Sequence, residues 1–477
     1  MRITNRFNVD TACLVTWLGL IAMVVAYQPS VVLGQNVSCE CCENPRSQHS
    51  PERQMYWQSL RRKIADGHHE SAAQLGPNST QMVFLDFDSG KDGNLDYTPA
   101  IRDAVQTELE RICERFDVSF TQTMPSGEFS TLVFNEGGLG GLAEDIDFRN
   151  LNRSDNAILN LDGAPDVSTD ESIVIASANV AAHELGHILG LRHDDMFGPI
   201  GAGILAGFDQ FLNPAYTGPQ NAFTEAQDHI MATPGFGIPF AMFIQPSWFS
   251  ERSSVKLTIA ENFQTILDLD GNDSLATAQP LEFSVRSIPN TIVAGQNAGT
   301  GDFVAGVAVV EGSLNGMIDG QDYFRIDGRA GDLLNLAILS NVPDRLQVNP
   351  IDPNLAVLDA SGNFVDYYGS DAFNEDEIKT PDSIMYDLIL PADGQYIIKV
   401  DSQDDFDIGV YELLVYRFDG NGIVGDVNCD GVVDLLDVGP FVDAIIAGEF
   451  SVKADINTDG SVNLEDVQPF VALLIGQ

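Results

Sequence analysis

The chain has 477 residues, and its 70 acidic side chains against 24 basic ones give a formal net charge of −46. That balance excludes the basic face a nucleic-acid binder needs to neutralise phosphates, and it disfavours docking on an anionic lipid surface. A hydrophobic share of 44% with 27 Phe belongs to folded domains, not to a disordered acidic chain, and the length suggests about three domains of ~150 residues.

In chain order, Arg2 and Arg6 precede an apolar stretch over residues 12–26, and Val32-Leu33-Gly34 supplies small or apolar side chains before Gln35. This predicts a secretory signal peptide over residues 1–34, with an uncleaved anchor as the alternative. The apolar run, about 15 residues, is shorter than the ~20 that span a bilayer. No later stretch is long enough either, so an exported chain without a membrane span is expected. Residues 35–78 are polar and read as an N-terminal extension or pro-segment. Cys39, Cys41 and Cys42 crowd there, and with Cys113 and Cys429 they predict one or two disulfides, one of them tying the cluster to the helix of Cys113. The alternative is a thiol that blocks a metal site in a latent precursor.

Residues 79–262 have an α/β pattern. Met82-Val83-Phe84-Leu85-Asp86-Phe87 is strand-like, residues 97–116 have helical spacing through Ile101, Val105, Leu109 and Ile112, and Thr131-Leu132-Val133-Phe134 is a second strand. Between them, Asp88-Ser89-Gly90-Lys91-Asp92-Gly93-Asn94-Leu95-Asp96 lacks an acid at the twelfth place of a calcium loop and reads as a solvated turn. A further helix runs over 172–191 into a glycine. Beyond residue 261 helical periodicity gives way to short strand-like runs between Gly, Asn and Asp turns, which predicts an all-β sandwich over 263–418. A Gly-rich joint at 419–423 leads to a C-terminal unit, 424–477, with an internal repeat. The expected fold class is multi-domain: an α/β (α+β) domain, an all-β sandwich and a small α-helical unit with paired calcium loops.

The informative motif is His183-Glu184-Leu185-Gly186-His187-Ile188-Leu189-Gly190-Leu191-Arg192-His193. His183 and His187, four apart, share one helical face and present both imidazoles to a single ion. Gly190 permits the positive-φ turn that ends a helix, after which the chain can swing back so that His193 completes a three-histidine site. Three nitrogen ligands with an open fourth position suit one catalytic Zn2+, whose bound water ionises near neutrality. Glu184 is placed to take the proton of that water and pass it to a leaving amine.

This pattern resembles the metzincin clan of zinc metalloendopeptidases, over roughly residues 80–262. The resemblance implies a Met-turn beneath the metal, which Asp228-His229-Ile230-Met231-Ala232-Thr233-Pro234 fits 38 residues after His193, with Met231 as its methionine. It also implies a twisted sheet whose edge strand, sought within 129–134, pairs with an extended peptide, and a pocket shaped by residues 198–218. Asp194 after the third histidine is as in adamalysins, whereas the short Met-turn is closer to matrixin-like bacterial enzymes. His229 reads as a buried or surface histidine beside the turn.

Further on, Gly271-Asn272-Asp273-Ser274, Asp322-Tyr323-Phe324-Arg325-Ile326, Leu390-Pro391-Ala392-Asp393-Gly394-Gln395-Tyr396 and Tyr411-Glu412-Leu413 resemble a bacterial pre-peptidase C-terminal (PPC) domain. That implies a β-sandwich accessory to a secreted peptidase, or an inert spacer.

In the C-terminal unit, Asp426, Asn428, Asp430, Val432 (through its carbonyl), Asp434 and Asp437 occupy calcium-loop positions 1, 3, 5, 7, 9 and 12, with Gly431 at the turn. Asp455, Asn457, Asp459, Ser461, Asn463 and Asp466 repeat them 29 residues on. Two Ca2+ are therefore expected, and each loop is followed by an apolar helical run. Asp at position 12 and one helix per loop resemble a type I dockerin, which implies docking to a cohesin-like partner. Two Ca2+ and one Zn2+ offset only six of the 46 net negative charges, so most acids must face solvent. The expected function is a secreted zinc endopeptidase acting on protein or peptide substrates. The alternative is a calcium-dependent adhesion or scaffold-interaction protein whose metalloprotease-like core is inactive.

Overall fold

The computed structural model describes residues 80–475, apart from 198–199, 201–203, 206–219, 222–227, 233–242, 261–262, 270, 290–302, 317–319, 348, 376–380, 404–407, 419–424, 426, 428–432, 434, 448–452, 455 and 457–461. The expected signal peptide, the extension over 35–78, Cys39, Cys41, Cys42 and Cys429, and most of the pocket segment 198–218 thus lie outside the described residues. The described residues form a mixed α/β architecture with a β-rich second half.

The first half is a five-stranded sheet covered by two helices. Its elements are β1 (Gln81–Asp86), α1 (Pro99–Ile112), β2 (Val118–Thr121), β3 (Ser130–Phe134), β4 (Gly140–Ala143), β5 (Asn156–Asn160) and α2 (Asp170–Ile188). The strand order is β2-β1-β3-β5-β4, with β1, β2, β3 and β5 parallel and β4 antiparallel to β5. Helix α1 starts where Thr98 Oγ1 accepts the Ile101 N–H and Pro99 occupies the first turn, and it buries Ile101, Val105, Leu109 and Ile112. Thr169 and Ser172 cap α2 reciprocally at 3.0 and 3.1 Å, and Asp170 and Glu171 complement the positive end of the helix dipole. From Ala176 to Ile188 the α2 side chains are buried, and the small residues Ala176, Ala178, Ala181, Ala182 and Gly186 let its backbone approach its neighbours closely.

The edge strand is not where the sequence placed it. β3 is flanked by β1 and β5, so all five of its residues are buried, and β4 ends the sheet on that side. The pairing of Cys113 is also corrected: its thiol is free and buried at the end of α1, and burial pushes its pKa up to about 12.

A short parallel pair, β6 (Ile204–Leu205) with β7 (Gln220–Asn221), and helix α3 (Glu251–Ala260) follow. The second half then contributes β8 (Ile266–Leu267), β9 (Gln279–Pro280), β10 (Ser284–Ile288), β11 (Phe303–Asn315), β12 (Gln321–Gly328), β13 (Leu333–Leu339) and β14 (Pro353–Asp359). A small hairpin, β15 (Asp366–Tyr367) and β16 (Ser370–Asp371), precedes β17 (Phe373–Asn374), β18 (Ile384–Ile389), β19 (Gly394–Ser402) and β20 (Ile408–Phe418). One sheet runs β10-β11-β20-β13-β18 with β8 beside β11, and the other runs β17-β14-β19-β12-β9. Val309, Leu336 and Leu413 of the first share a core with Phe324, Val357 and Ile398 of the second, and the Tyr411 hydroxyl crosses between the sheets to Asp322 at 2.6 Å.

The same buried core continues without a break into the α2 side of the molecule. Arg149 meets Glu311 at 2.6 Å, and Arg345 meets Asp147 at 3.1 Å, so ion pairs also join the two halves. Near the C-terminal end, α4 (Val438–Ala447) and α5 (Val467–Ile475) pack on a separate small core in which Phe441 and Phe470 stack at 4.0 Å between ring centroids.

Candidate metal centre

The site is built on the last two turns of α2 and the reversal that follows. The Leu191 N–H reaches back to the Gly186 carbonyl and the Gly190 N–H to the His187 carbonyl, both at 2.8 Å, the paired bonds of a Schellman cap. Gly190 holds φ at +93°, and a Cβ there would come within 2.5 Å of the Phe148 backbone, so both conformation and space demand glycine. The chain then turns back as one 3-10 turn, His193–Met196.

His183, His187 and His193 converge, with ligand nitrogens all within 4.8 Å of one another; among the described residues no other group of three or more His, Cys, Asp or Glu does so. His183 Nδ1 donates to the Ile230 carbonyl at 2.7 Å and His187 Nδ1 to the Leu191 carbonyl at 2.8 Å. Since a carbonyl can only accept, these bonds place the proton on Nδ1 and leave each Nε2 with an outward lone pair. His183 Nε2 lies 3.0 Å from His193 Nε2. A buried set of three imidazoles, two of them oriented from behind by backbone carbonyls, could hold a metal ion.

Glu184, next to His183 in sequence, is buried, and a Cβ on Gly141 of β4 would lie 2.2 Å from its Oε1. The carboxylate therefore rests against the backbone of the edge strand, and Gly141 is what makes room. Met231 is fully buried, its Sδ 2.7 Å from where a Gly186 Cβ would stand, so it packs against α2 at Gly186. The turn that carries it is pinned by Ile230 N–H to Trp248 O at 2.8 Å and Ala232 N–H to His229 O at 3.0 Å; Thr233 and Pro234 lie outside the described residues. His229 is buried beside that turn and outside the metal cluster. Its Nδ1 donates to the Met196 carbonyl at 2.6 Å, and burial pushes its pKa down to about 4.

What sequence reasoning missed is the polar bed beneath His193. Arg192, His193, Asp194, Asp195 and Met196 are all buried. Burial pushes the Asp194 carboxyl up, but Arg192, Lys256 and the Tyr386 hydroxyl outweigh it and hold the group below the usual carboxylate range. Lys256 of α3 meets the Asp195 carboxylate at 2.8 Å. The available signal was Arg192, Arg252 and Lys256, three of only 24 basic residues, set close to Asp194, Asp195 and a serine-rich helix.

Of the twelve expected calcium ligands, Asp426, Asn428, Asp430, Val432, Asp434, Asp455, Asn457, Asp459 and Ser461 lie outside the described residues. Asp437 and Asp466 are each fully buried immediately before α4 and α5, and Asp466 Oδ2 accepts the Asn463 N–H at 2.9 Å.

No family model matches the chain, and no curated protein matches it. Among solved structures, the crystal structure of Aeromonas hydrophila PliG, a periplasmic lysozyme inhibitor of g-type lysozyme, is similar over 29% of this chain and 95% of its own. Its identity is 16% and its TM-score 0.18, a likeness that carries no argument about fold or activity.

Proposed function

We propose that the chain is a secreted zinc-dependent endopeptidase of metzincin type that hydrolyses peptide bonds in protein substrates. In this reading residues 79–262 are its catalytic domain, 263–418 a PPC-like sandwich, and 424–477 a dockerin-like tail that binds two Ca2+ and docks to a cohesin-like partner. The observation that carries the proposal is the convergence of three imidazole nitrogens within 4.8 Å. On the same helix, the Glu184 carboxylate lies against the edge strand.

Bound by His183, His187 and His193, Zn2+ supplies Lewis-acid polarisation of a peptide carbonyl and acidifies water. The protein's own residues do the rest. Carbonyls of Ile230 and Leu191 hold two imidazoles in the tautomer that leaves Nε2 available. Strand β4 offers its outer edge to an extended peptide by strand addition. Glu184, against that strand, takes a proton from the attacking water and hands it to the departing amine.

The test is cleavage of casein by calcium-loaded protein lacking residues 1–34, with zinc quantified in the same sample, before and after limited proteolysis near residue 78. One zinc per chain is expected, and Glu184→Ala should keep the zinc while losing activity by about 100-fold or more. Zinc without cleavage in either form overturns the peptidase reading.

A second reading is favoured by the burial of all four residues, His183, His187, His193 and Glu184, at 7% exposure or less. There the triad is a structural staple in a calcium-dependent adhesion or scaffold-interaction protein, and Glu184→Ala loses nothing.

A further inference from the structure

The third histidine is held from outside the helix that carries the other two. Its 3-10 turn is bounded by backbone bonds from Asp195 N–H to Arg192 O at 3.1 Å and from Phe197 N–H to Asp194 O at 3.2 Å. Side chains from distant elements add to these. Asp195 Oδ2 accepts the Arg192 N–H at 2.7 Å and Lys256 Nζ at 2.8 Å, while hydroxyls of Ser250 and Ser253 donate to the Asp195 carbonyl. Asp194 Oδ2, next in sequence to His193, accepts the hydroxyl of Tyr386 at 2.6 Å, across 192 residues of chain. Arg192, on the other side of the histidine, has Nε 3.6 Å from Asp194 Oδ1 and Nη1 3.5 Å from Asp382 Oδ2.

Tyr386 is itself immobilised. It is buried in β18, and the Arg252 guanidinium lies over its ring at 4.2 Å from the centroid. That guanidinium is in turn fixed by Asp387 Oδ2 at 2.6 Å and Asn335 Oδ1 at 2.6 Å. A buried hydroxyl-to-carboxylate bond is among the stronger hydrogen bonds a protein makes. It links a rigid sheet to the residue beside a ligand whose nitrogen must be placed to a few tenths of an ångström.

We propose that Tyr386 is a positioning residue for the metal centre: acting through Asp194, it fixes His193, so that the metal affinity of the triad depends on the β-rich half of the protein. This rests on the reading of the triad as a metal site. The PPC-like sheets then serve as part of the site's frame, and separating them from the first half removes one wall of the third ligand.

The test is Co2+ and Zn2+ affinity of the full chain, by competition with a chromophoric chelator in excess Ca2+, alongside thermal unfolding of the metal-free protein. Wild type should bind one ion and His193→Ala should lose it. Tyr386→Phe, which keeps the ring under Arg252, should bind about 10-fold or more weakly. Asp194→Asn should weaken binding in the same direction. Tyr416→Phe is the control: its hydroxyl receives Arg252 Nη1 at 3.3 Å, in the same network. It should lower the unfolding temperature yet keep wild-type affinity. Equal affinities for Tyr386→Phe, Asp194→Asn and wild type, with His193→Ala impaired, overturn the positioning role and leave the metal centre standing. Equal loss in Tyr416→Phe reduces the effect to general destabilisation and overturns it too. Wild type that binds no ion, or His193→Ala that binds as wild type, removes the metal reading itself.

Discussion

Residues 192–196 and the α4–α5 pair are built on opposite terms. Around the first, charged side chains are buried and matched by partners from α3 and β18, so that geometry is held from more than one direction. Among the described residues, the second has a core of five buried side chains and leaves several other apolar side chains exposed. Its two copies agree position by position in exposure: Leu435 80% and Leu464 77%, Val442 44% and Val471 43%, Ile446 77% and Ile475 77%. Burying charges is costly and stabilises one arrangement more than it stabilises folding. Leaving a repeated apolar stripe in water is costly in the other direction, and suits a unit completed from outside. One region buries its charges, the other exposes apolar side chains.

The largest effect should come from breaking the first region. Arg252 and Asp387 are both fully buried at 2.6 Å. Arg252→Met leaves the Asp387 charge without its cation and should lower unfolding free energy in urea by about 3–5 kcal/mol. Adding Asp387→Asn should restore part of that loss, because the amide carries no charge and asparagine tolerates the φ of +58° at this position. A loss under about 1 kcal/mol in the single variant means the buried pair does not hold this part of the fold.

These two regions were also unequally legible in the sequence. The histidine spacing, the Gly190 stop and the 29-residue repeat are local patterns, set by helix periodicity and loop chemistry, and they survive reading along the chain. Tyr386 and Asp194 stand 192 residues apart, and Arg252 and Asp387 stand 135 apart. Nothing local announces such pairs, and a lysine and an arginine in Glu-Arg-Ser-Ser-Val-Lys read as solvent-facing until the opposing sheet is present. The edge strand failed for a related reason. Gly140-Gly141-Leu142-Ala143 has the composition of a turn, yet Gly141 is there because the Glu184 carboxylate lies where its side chain would be.

An effect nearly as large should appear with pH. His229 is buried and neutral, and its pKa is pushed from 6.5 down to about 4. The unfolded chain takes up this proton near pH 6.5 and the folded one only near 4, so stability is full above about 6.5 and is lost as the pH falls toward 4. The difference amounts to about 3 kcal/mol. His229→Gln, which keeps a donor for the Met196 carbonyl, should lose about that much less than wild type between pH 7.5 and 4. Parallel profiles for the two proteins in urea titrations overturn the assignment. This sharpens the comparison, because α4 and α5 contain no histidine and their opening should not follow this titration.

The smallest effects belong to the helix pair, and there two substitutions separate core from surface. Phe441→Leu removes one ring of the stacked pair at 4.0 Å and should cost the C-terminal unit about 1–2 kcal/mol. Because that core is separate from the main one, the loss should show as faster amide exchange within α4 and α5, with β1, β5 and α2 unchanged. Ile446→Ser together with Ile475→Ser touches the same helices from outside. Both side chains are 77% exposed, so little burial is removed, and opening free energies from amide exchange should stay within about 0.5 kcal/mol of wild type. If the serine pair loosens the unit as much as Phe441→Leu does, these isoleucines are packed in solution and the stripe is not a free surface. If only Phe441→Leu loosens it, the two isoleucines contribute nothing to the unit's own stability, and what keeps them apolar has to be sought in what they meet.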